Sequence, residues 1–200
     1  MKFNPTTHIP VMEHFYTIQG EGFYTGHAAY FIRLAGCDVG CVWCDVKESW
    51  TVEEKQLMLI DDLLKEVLKY PGRLIVITGG EPLMYDLSFL TQTLKANGFQ
   101  INIETSGAYP ISGELDWICV SPKKFKAPLK EVLAKANELK CIIFNKSDFE
   151  FAEQNCLLAT KDCVLYLQTE WSKQEQMLPL MIDYVKANPQ WKISLQTHKY

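Results

Sequence analysis

Three cysteines stand within eight positions of one another, in Gly36-Cys37-Asp38-Val39-Gly40-Cys41-Val42-Trp43-Cys44-Asp45. The spacing C-x3-C-x2-C sets three thiolates on one short loop, and thiolate is the ordinary protein ligand of iron–sulfur clusters. Cys37, Cys41 and Cys44 can take three corners of a four-iron cube and leave the fourth iron without a ligand from this loop. An open coordination position is what a cluster needs in order to bind and activate something. Gly36 and Gly40 give the loop the backbone freedom to wrap a metal centre. Zinc also takes thiolates, but it favours a closed set of four ligands from paired C-x2-C elements. No second pair or nearby histidine completes such a set, since His27 falls on the far side of a predicted strand.

Strands and helices must alternate to present this loop. Apolar runs suited to buried strands fall at Ala28–Ala35, Leu74–Thr78, Ile101–Glu104, Trp117–Ser121, Cys141–Phe144, Val164–Gln168 and Lys192–Gln196. Between them lie helical stripes: Ile60, Leu63, Leu64, Val67, Leu68; then Leu87, Leu90, Leu94; Leu129, Val132, Leu133, Ala136; and Leu178, Met181, Ile182, Val185. Asp61 and Asp62 near the start of the first stripe and Lys69 near its end suit the helix dipole. The alternation predicts an α/β fold with a parallel sheet, its strands apolar on both faces. A full eight-fold barrel takes about 250 residues, so 200 residues predict a shortened or open one. Functional residues of such folds collect at the C-terminal ends of strands, where the cysteine loop falls.

Other strand ends carry unusual residues too. Thr78-Gly79-Gly80-Glu81-Pro82 follows the second run; two glycines permit close backbone approach to a ligand, and Glu81 offers an anionic acceptor. No Gly-Lys-Ser/Thr follows, so it is not a phosphate loop, and a tight strand-to-helix turn would read the same way. Glu104 and Thr105 close the third run, and Ser121-Pro122-Lys123 the fourth. A carboxylate there can accept two N–H donors from a guanidine-like edge, or be a solvated loop acid.

The cysteine spacing, with the aromatic Trp43 just before the last cysteine, resembles the signature of the radical S-adenosylmethionine (SAM) superfamily, and Gly79-Gly80-Glu81 resembles its GGE motif. The resemblance implies a [4Fe-4S] cluster whose open iron is chelated by SAM. One electron then splits the sulfonium into methionine and a 5′-deoxyadenosyl radical that abstracts hydrogen from substrate. It also implies SAM contacts from Trp43, Thr78, Gly79, Gly80, Glu81, Ser121, Lys123 and Gln168, on a truncated, modified (β/α) partial barrel.

Phe15-Tyr16-Thr17-Ile18-Gln19-Gly20-Glu21-Gly22, Arg33 on the first run, and the closing Ser194-Leu195-Gln196-Thr197-His198-Lys199 resemble, more narrowly, the 7-carboxy-7-deazaguanine synthase family, over nearly the whole chain. That implies a radical ring contraction of 6-carboxy-5,6,7,8-tetrahydropterin with loss of ammonia, toward queuosine. Substrate contacts are then expected from Gln19, Gly20, Glu21, Gly22, Arg33, Glu104, Thr105 and His198. Residues 1–200 form one domain on this reading, with 1–27 a substrate-binding extension and 28–200 the partial-barrel core. A homodimer and a flavodoxin or ferredoxin donor are implied as well. The chain departs from the family at Val46, where a threonine commonly helps bind magnesium. An isopropyl group gives a hard cation no oxygen. Mg²⁺ would then be held by substrate, water and Asp45, or Lys47 would replace its charge.

A net charge of −4 and 48% apolar residues describe an ordinary globular chain with no electrostatic grip on nucleic acid or anionic membrane. No signal-peptide pattern or spanning apolar run is present, so a cytoplasmic location is expected. In such a reducing compartment Cys119, Cys141, Cys156 and Cys163 are expected as thiols, those near strands as small buried hydrophobes. Two other functions share the cysteine loop: a small radical SAM activase acting on a partner's glycine, and a non-catalytic iron–sulfur or zinc module.

Overall fold

The computed structural model describes residues 4–200; the first three residues of the expected N-terminal extension lie outside the described residues. In chain order the strands are β1 (His8–Ile18), β2 (Ala28–Leu34), β3 (Leu57–Leu59), β4 (Leu74–Gly79), β5 (Gln100–Thr105), β6 (Trp117–Val120), β7 (Glu138–Ile143), β8 (Val164–Thr169) and β9 (Trp191–Ile193). The helices are α1 (Ile60–Val67), α2 (Ser88–Ala96), α3 (Lys130–Leu133), α4 (Ser147–Cys156) and α5 (Gln174–Ala187). The strands form a single open sheet in the order β3-β1-β2-β4-β5-β6-β7-β8-β9. From β2 to β9 every neighbouring pair is parallel, while β1 runs antiparallel to both β2 and β3.

All seven predicted strands are present, and two more, β1 and β3, extend the sheet on its antiparallel side. Alternation along each strand divides the sheet into two unlike faces. Tyr30, Ile32, Ile75, Ile77, Ile101, Ile103, Leu139 and Leu167 point to the helices and belong to one continuous core with Leu63, Leu90, Leu133 and Met181. The residues between them face inward. Near β2 and β4 that inner face is apolar, with Ala29, Phe31, Leu74 and Val76 in a small second core. Elsewhere it is polar: Asn102, Glu138, Lys140, Gln168 and Ser194 are all buried. The strands are therefore not apolar on both faces as expected, because the inner face encloses a polar cavity instead of a second layer.

The open side of the sheet is bridged. Between β1 and β2, residues 19–27 turn back across the gap toward β9. Gly22 donates its N–H to Ser194 Oγ at 3.0 Å, and Gln196 Nε2 donates to Glu21 at 3.1 Å. Thr197 adds two hydrogen bonds to the Gly20 carbonyl, from its N–H and its hydroxyl. Among the described residues no helix is long and apolar enough to cross a membrane.

Candidate active site

The strand ends of β2, β4, β5, β6 and β8 open into one cavity of about 480 Å³. Cys37, Cys41 and Cys44 line it, as do Trp43, Asp45, Thr78, Gly79, Gly80, Glu81, Ser121, Lys123 and Gln168. So do Gln19, Gly20, Glu21, Arg33, Glu104, Thr105 and His198, residues that lie as much as 179 positions apart in sequence. Of the residues expected to contact SAM or substrate, Gly22 alone does not line it; its backbone pins the bridging loop to Ser194.

The cysteine loop is held from beneath by backbone. Gly36 N–H donates to Ser49 O at 2.6 Å and Cys37 N–H to Trp50 O at 3.2 Å. Gly80 and Glu81 donate their N–H groups to Leu34 O and Gly36 O, at 2.9 and 2.8 Å. The Gly-Gly-Glu turn is thereby fastened to the start of the cysteine loop. Contact is so close that a Cβ on Gly80 would lie 2.2 Å from Gly36 O. Gly36 itself has φ +98, with the Tyr85 hydroxyl occupying the place of a side chain. That hydroxyl donates to Ala35 O at 2.7 Å.

All seven cysteines are free thiols. Burial first, and the neighbouring cysteines after it, push the Cys37 thiol up and the Cys41 thiol to about 11. Among the described residues the three thiols are not gathered into a ready-made metal site, but as three thiolate donors on one loop facing one cavity they are the donor set of a cluster with one open corner. Cys119 and Cys141 are buried in strands, and Cys163 is buried just before β8.

Glu81 is completely buried. Its carboxylate accepts from Leu83 N–H at 3.0 Å, from the Thr105 hydroxyl, and from both the N–H and hydroxyl of Ser106. The acid thus ties the end of β4 to the end of β5. Lys123 folds back onto Ser121, donating to its carbonyl at 2.7 Å, and stands 5.6 Å from the Trp43 ring centre. Burial pulls its ammonium below the usual lysine range. Arg33 Nε is paired with Glu13 at 2.6 Å. His198 sits in a closing turn, Thr197–Lys199, against Gly20. Asp45 and Val46 both line the cavity, whereas Lys47 is exposed and does not.

The polar end of the cavity holds a group that the sequence reading missed. Lys140, on β7, is buried, pairs with Glu21 and approaches Glu104 Oε1 to 3.8 Å. Gln19 Nε2 donates to the same Glu104 oxygen at 2.9 Å. Burial alone would raise the Glu21 carboxyl, but the Lys140 charge and hydrogen bonds from Lys140, Gln196 and Gln168 hold it at about 2. A carboxyl depressed from 4.5 to about 2 stabilises the fold above pH 4.5 and loses that contribution as pH falls through about 2. Glu21→Gln should therefore lower Tm at neutral pH, because it leaves Lys140 buried with one carboxylate fewer. The gap to the parent should narrow on acidification through that window. A gap that stays constant with pH would contradict the pairing.

The radical SAM superfamily pattern matches residues 31–139. A 7-carboxy-7-deazaguanine synthase of Flavobacterium psychrophilum is 56% identical over 96% of this chain and 91% of the relative. One from Synechocystis sp. is 45% identical over 98% and 93%, and one from Escherichia coli 38% identical over 96% and 97%. The crystal structure of QueE from Escherichia coli superposes with a TM-score of 0.86 at 36% identity, covering 96% of this chain and 95% of that one.

Proposed function

The chain belongs to the 7-carboxy-7-deazaguanine synthase family of radical SAM enzymes, and we propose that it converts 6-carboxy-5,6,7,8-tetrahydropterin into 7-carboxy-7-deazaguanine with loss of ammonia. The observation that carries this reading is the two-ended cavity. Three thiols and a glycine turn line it together with Gln19, Glu21, Glu104, Arg33 and His198 from distant segments.

The cluster and SAM, which the family implies, supply a carbon-centred oxidant when bound; the protein's own residues bind, orient and exclude water. Cys37, Cys41 and Cys44 hold the cluster. The Gly79-Gly80 backbone and Lys123 with Trp43 frame the SAM, while Glu81 keeps the ends of β4 and β5 together. Gln19, Glu21 and Glu104 take the amine and amide edge of the pterin, since carboxylates accept N–H donors in pairs. Arg33 and His198 take its carboxylate. An activase reading leaves Arg33 and His198 unused and predicts no pterin affinity. Anaerobic equilibrium binding of 6-carboxytetrahydropterin to the reconstituted protein separates the two; absence of binding would defeat the pterin reading.

Mg²⁺ would be held by the substrate, water and Asp45, since Val46 offers no oxygen and Lys47 stands outside the cavity; the alternative is that Lys47 replaces its charge. Stripping with a chelator should lower turnover, and added Mg²⁺ should restore it. Turnover that survives stripping would favour charge replacement by Lys47. The working unit is a homodimer, with a flavodoxin or ferredoxin as electron donor.

A further inference from the structure

Resting on the pterin reading, we propose that Lys140 is a positioning residue that sets the cavity's specificity, holding Glu21 and Glu104 as paired acceptors for the N–H edge of a guanidine-like heterocycle.

Lys140 lies on the inner face of β7 with its side chain 4% exposed. A buried ammonium is costly unless it is paired. Here its partners come from two distant segments, Glu21 from the loop after β1 and Glu104 from β5. Amides orient both carboxylates as well, Gln196 and Gln168 on Glu21 and Gln19 on Glu104. The second Glu104 oxygen takes no protein partner among the described residues, and Glu104 lines the cavity. The arrangement leaves an oriented acceptor facing the ligand.

Two carboxylates in one enclosed cavity would ordinarily share a proton, because like charges oppose each other's ionisation. A protonated carboxyl would then meet a ligand's N–H donor with a donor of its own. Lys140 prevents this by balancing one of the two charges and standing against both. The groups that face it are Glu21, Glu104 from β5, Cys119 from β6 and Glu138 from its own strand, with the Lys123 ammonium opposing it. Burial disfavours its charge, yet Glu104 and Glu21 hold it protonated well above the ordinary lysine range. The same pairing discriminates among ligands. A ring edge that presents acceptors would leave two buried carboxylates unanswered, the kind of mismatch that sites built from hydrogen bonds reject strongly.

The test is anaerobic binding of 6-carboxytetrahydropterin to the reconstituted, SAM-loaded protein, as parent, K140M and K140R. It runs from about pH 5.5 to about pH 8.5, the range in which a shared carboxyl proton would titrate. Each variant's affinity is read as a ratio to the parent's at the same pH, so that titrations common to both proteins and to the ligand cancel. K140M should bind at least ~10-fold more weakly at the acid end, recovering as pH rises, while SAM affinity stays that of the parent. K140R keeps the charge and should hold a constant ratio to the parent across the range. Infrared difference spectra without pterin should show a protonated carboxyl in K140M near neutral pH that the parent lacks. Should K140M fail to fold, K140Q carries the same test. A pH-independent ratio to the parent and an unchanged infrared spectrum in the neutral variant would overturn the role of Lys140. A parent that binds no pterin, beside a variant that gains the carboxyl band, would overturn the substrate reading and leave Lys140's hold on the pair standing.

Discussion

Cys41→Ala should abolish cluster assembly and SAM cleavage while leaving the fold intact. Cys41 is buried and lines the cavity, and burial keeps its thiol at about 11, so without a metal it is an inert small side chain. Replacing such a side chain by alanine costs on the order of 1 kcal/mol, a small part of a domain's stability. The cluster, by contrast, loses one of its three protein ligands, and with it the chemistry that depends on the open iron. Iron and sulfide content after anaerobic reconstitution, the visible absorption and 5′-deoxyadenosine formation should all fall to background, while the Tm of the cluster-free protein stays nearly that of the cluster-free parent. Cys141→Ala is the matched control. That thiol is buried on the helix side of β7, so the variant should lose a similar small amount of stability and keep both cluster and cleavage. Full iron uptake by the Cys41 variant, or loss of the cluster in the Cys141 variant, would contradict the assignment of the loop.

Gly80→Ala should do nearly as much damage from outside the cysteine loop. The added Cβ would lie 2.2 Å from Gly36 O and 2.9 Å from Cys37 Cβ. Backbone must therefore move, because no flexible side chain stands there to yield. The movement is directed at Cys37 and at the Glu81 N–H to Gly36 O bond that joins the two loops. A displacement of about 1 Å in a reacting geometry can cost ~100-fold in rate, so SAM cleavage should drop by at least ~100-fold. SAM affinity and iron content should fall with it. A variant that retains full iron and cleaves SAM at the parent rate would show that the glycine turn does not position the loop.

The cysteine loop and the glycine turn were legible in the sequence because each sits in a short, unusual run directly after an apolar strand. Five helix-side positions, Ile75, Ile77, Ile101, Ile103 and Leu167, made their strands legible as well. β1 was not, because His8–Ile18 carries Pro10, Glu13 and His14 and shows no apolar run within the substrate-binding extension; its pairing with β2 and β3 is what makes it a strand. α4 was missed because its stripe is weak, with Asp148 and Asn155 among its few buried positions.

Lys140 was missed for a related reason. The apolar run was read from Cys141, but β7 begins at Glu138 and spends its first inner positions on Glu138 and Lys140. Charges inside a buried strand are invisible to a search for apolar runs. Period-two alternation with Leu139, Cys141 and Ile143 on the other face is the signal that would have found them. The convergence of Glu21, Glu104, Lys140 and His198 depends on register and on the loop that closes the sheet, and no local pattern encodes it.

The most direct test of the central claim is product formation. The chain, reconstituted anaerobically with iron and sulfide, is reduced with SAM and 6-carboxytetrahydropterin, and the products are read by mass spectrometry. The account predicts 7-carboxy-7-deazaguanine together with ammonia, dependent on SAM and absent in the Cys41→Ala protein. Cleavage of SAM to 5′-deoxyadenosine with the pterin left untouched would contradict it.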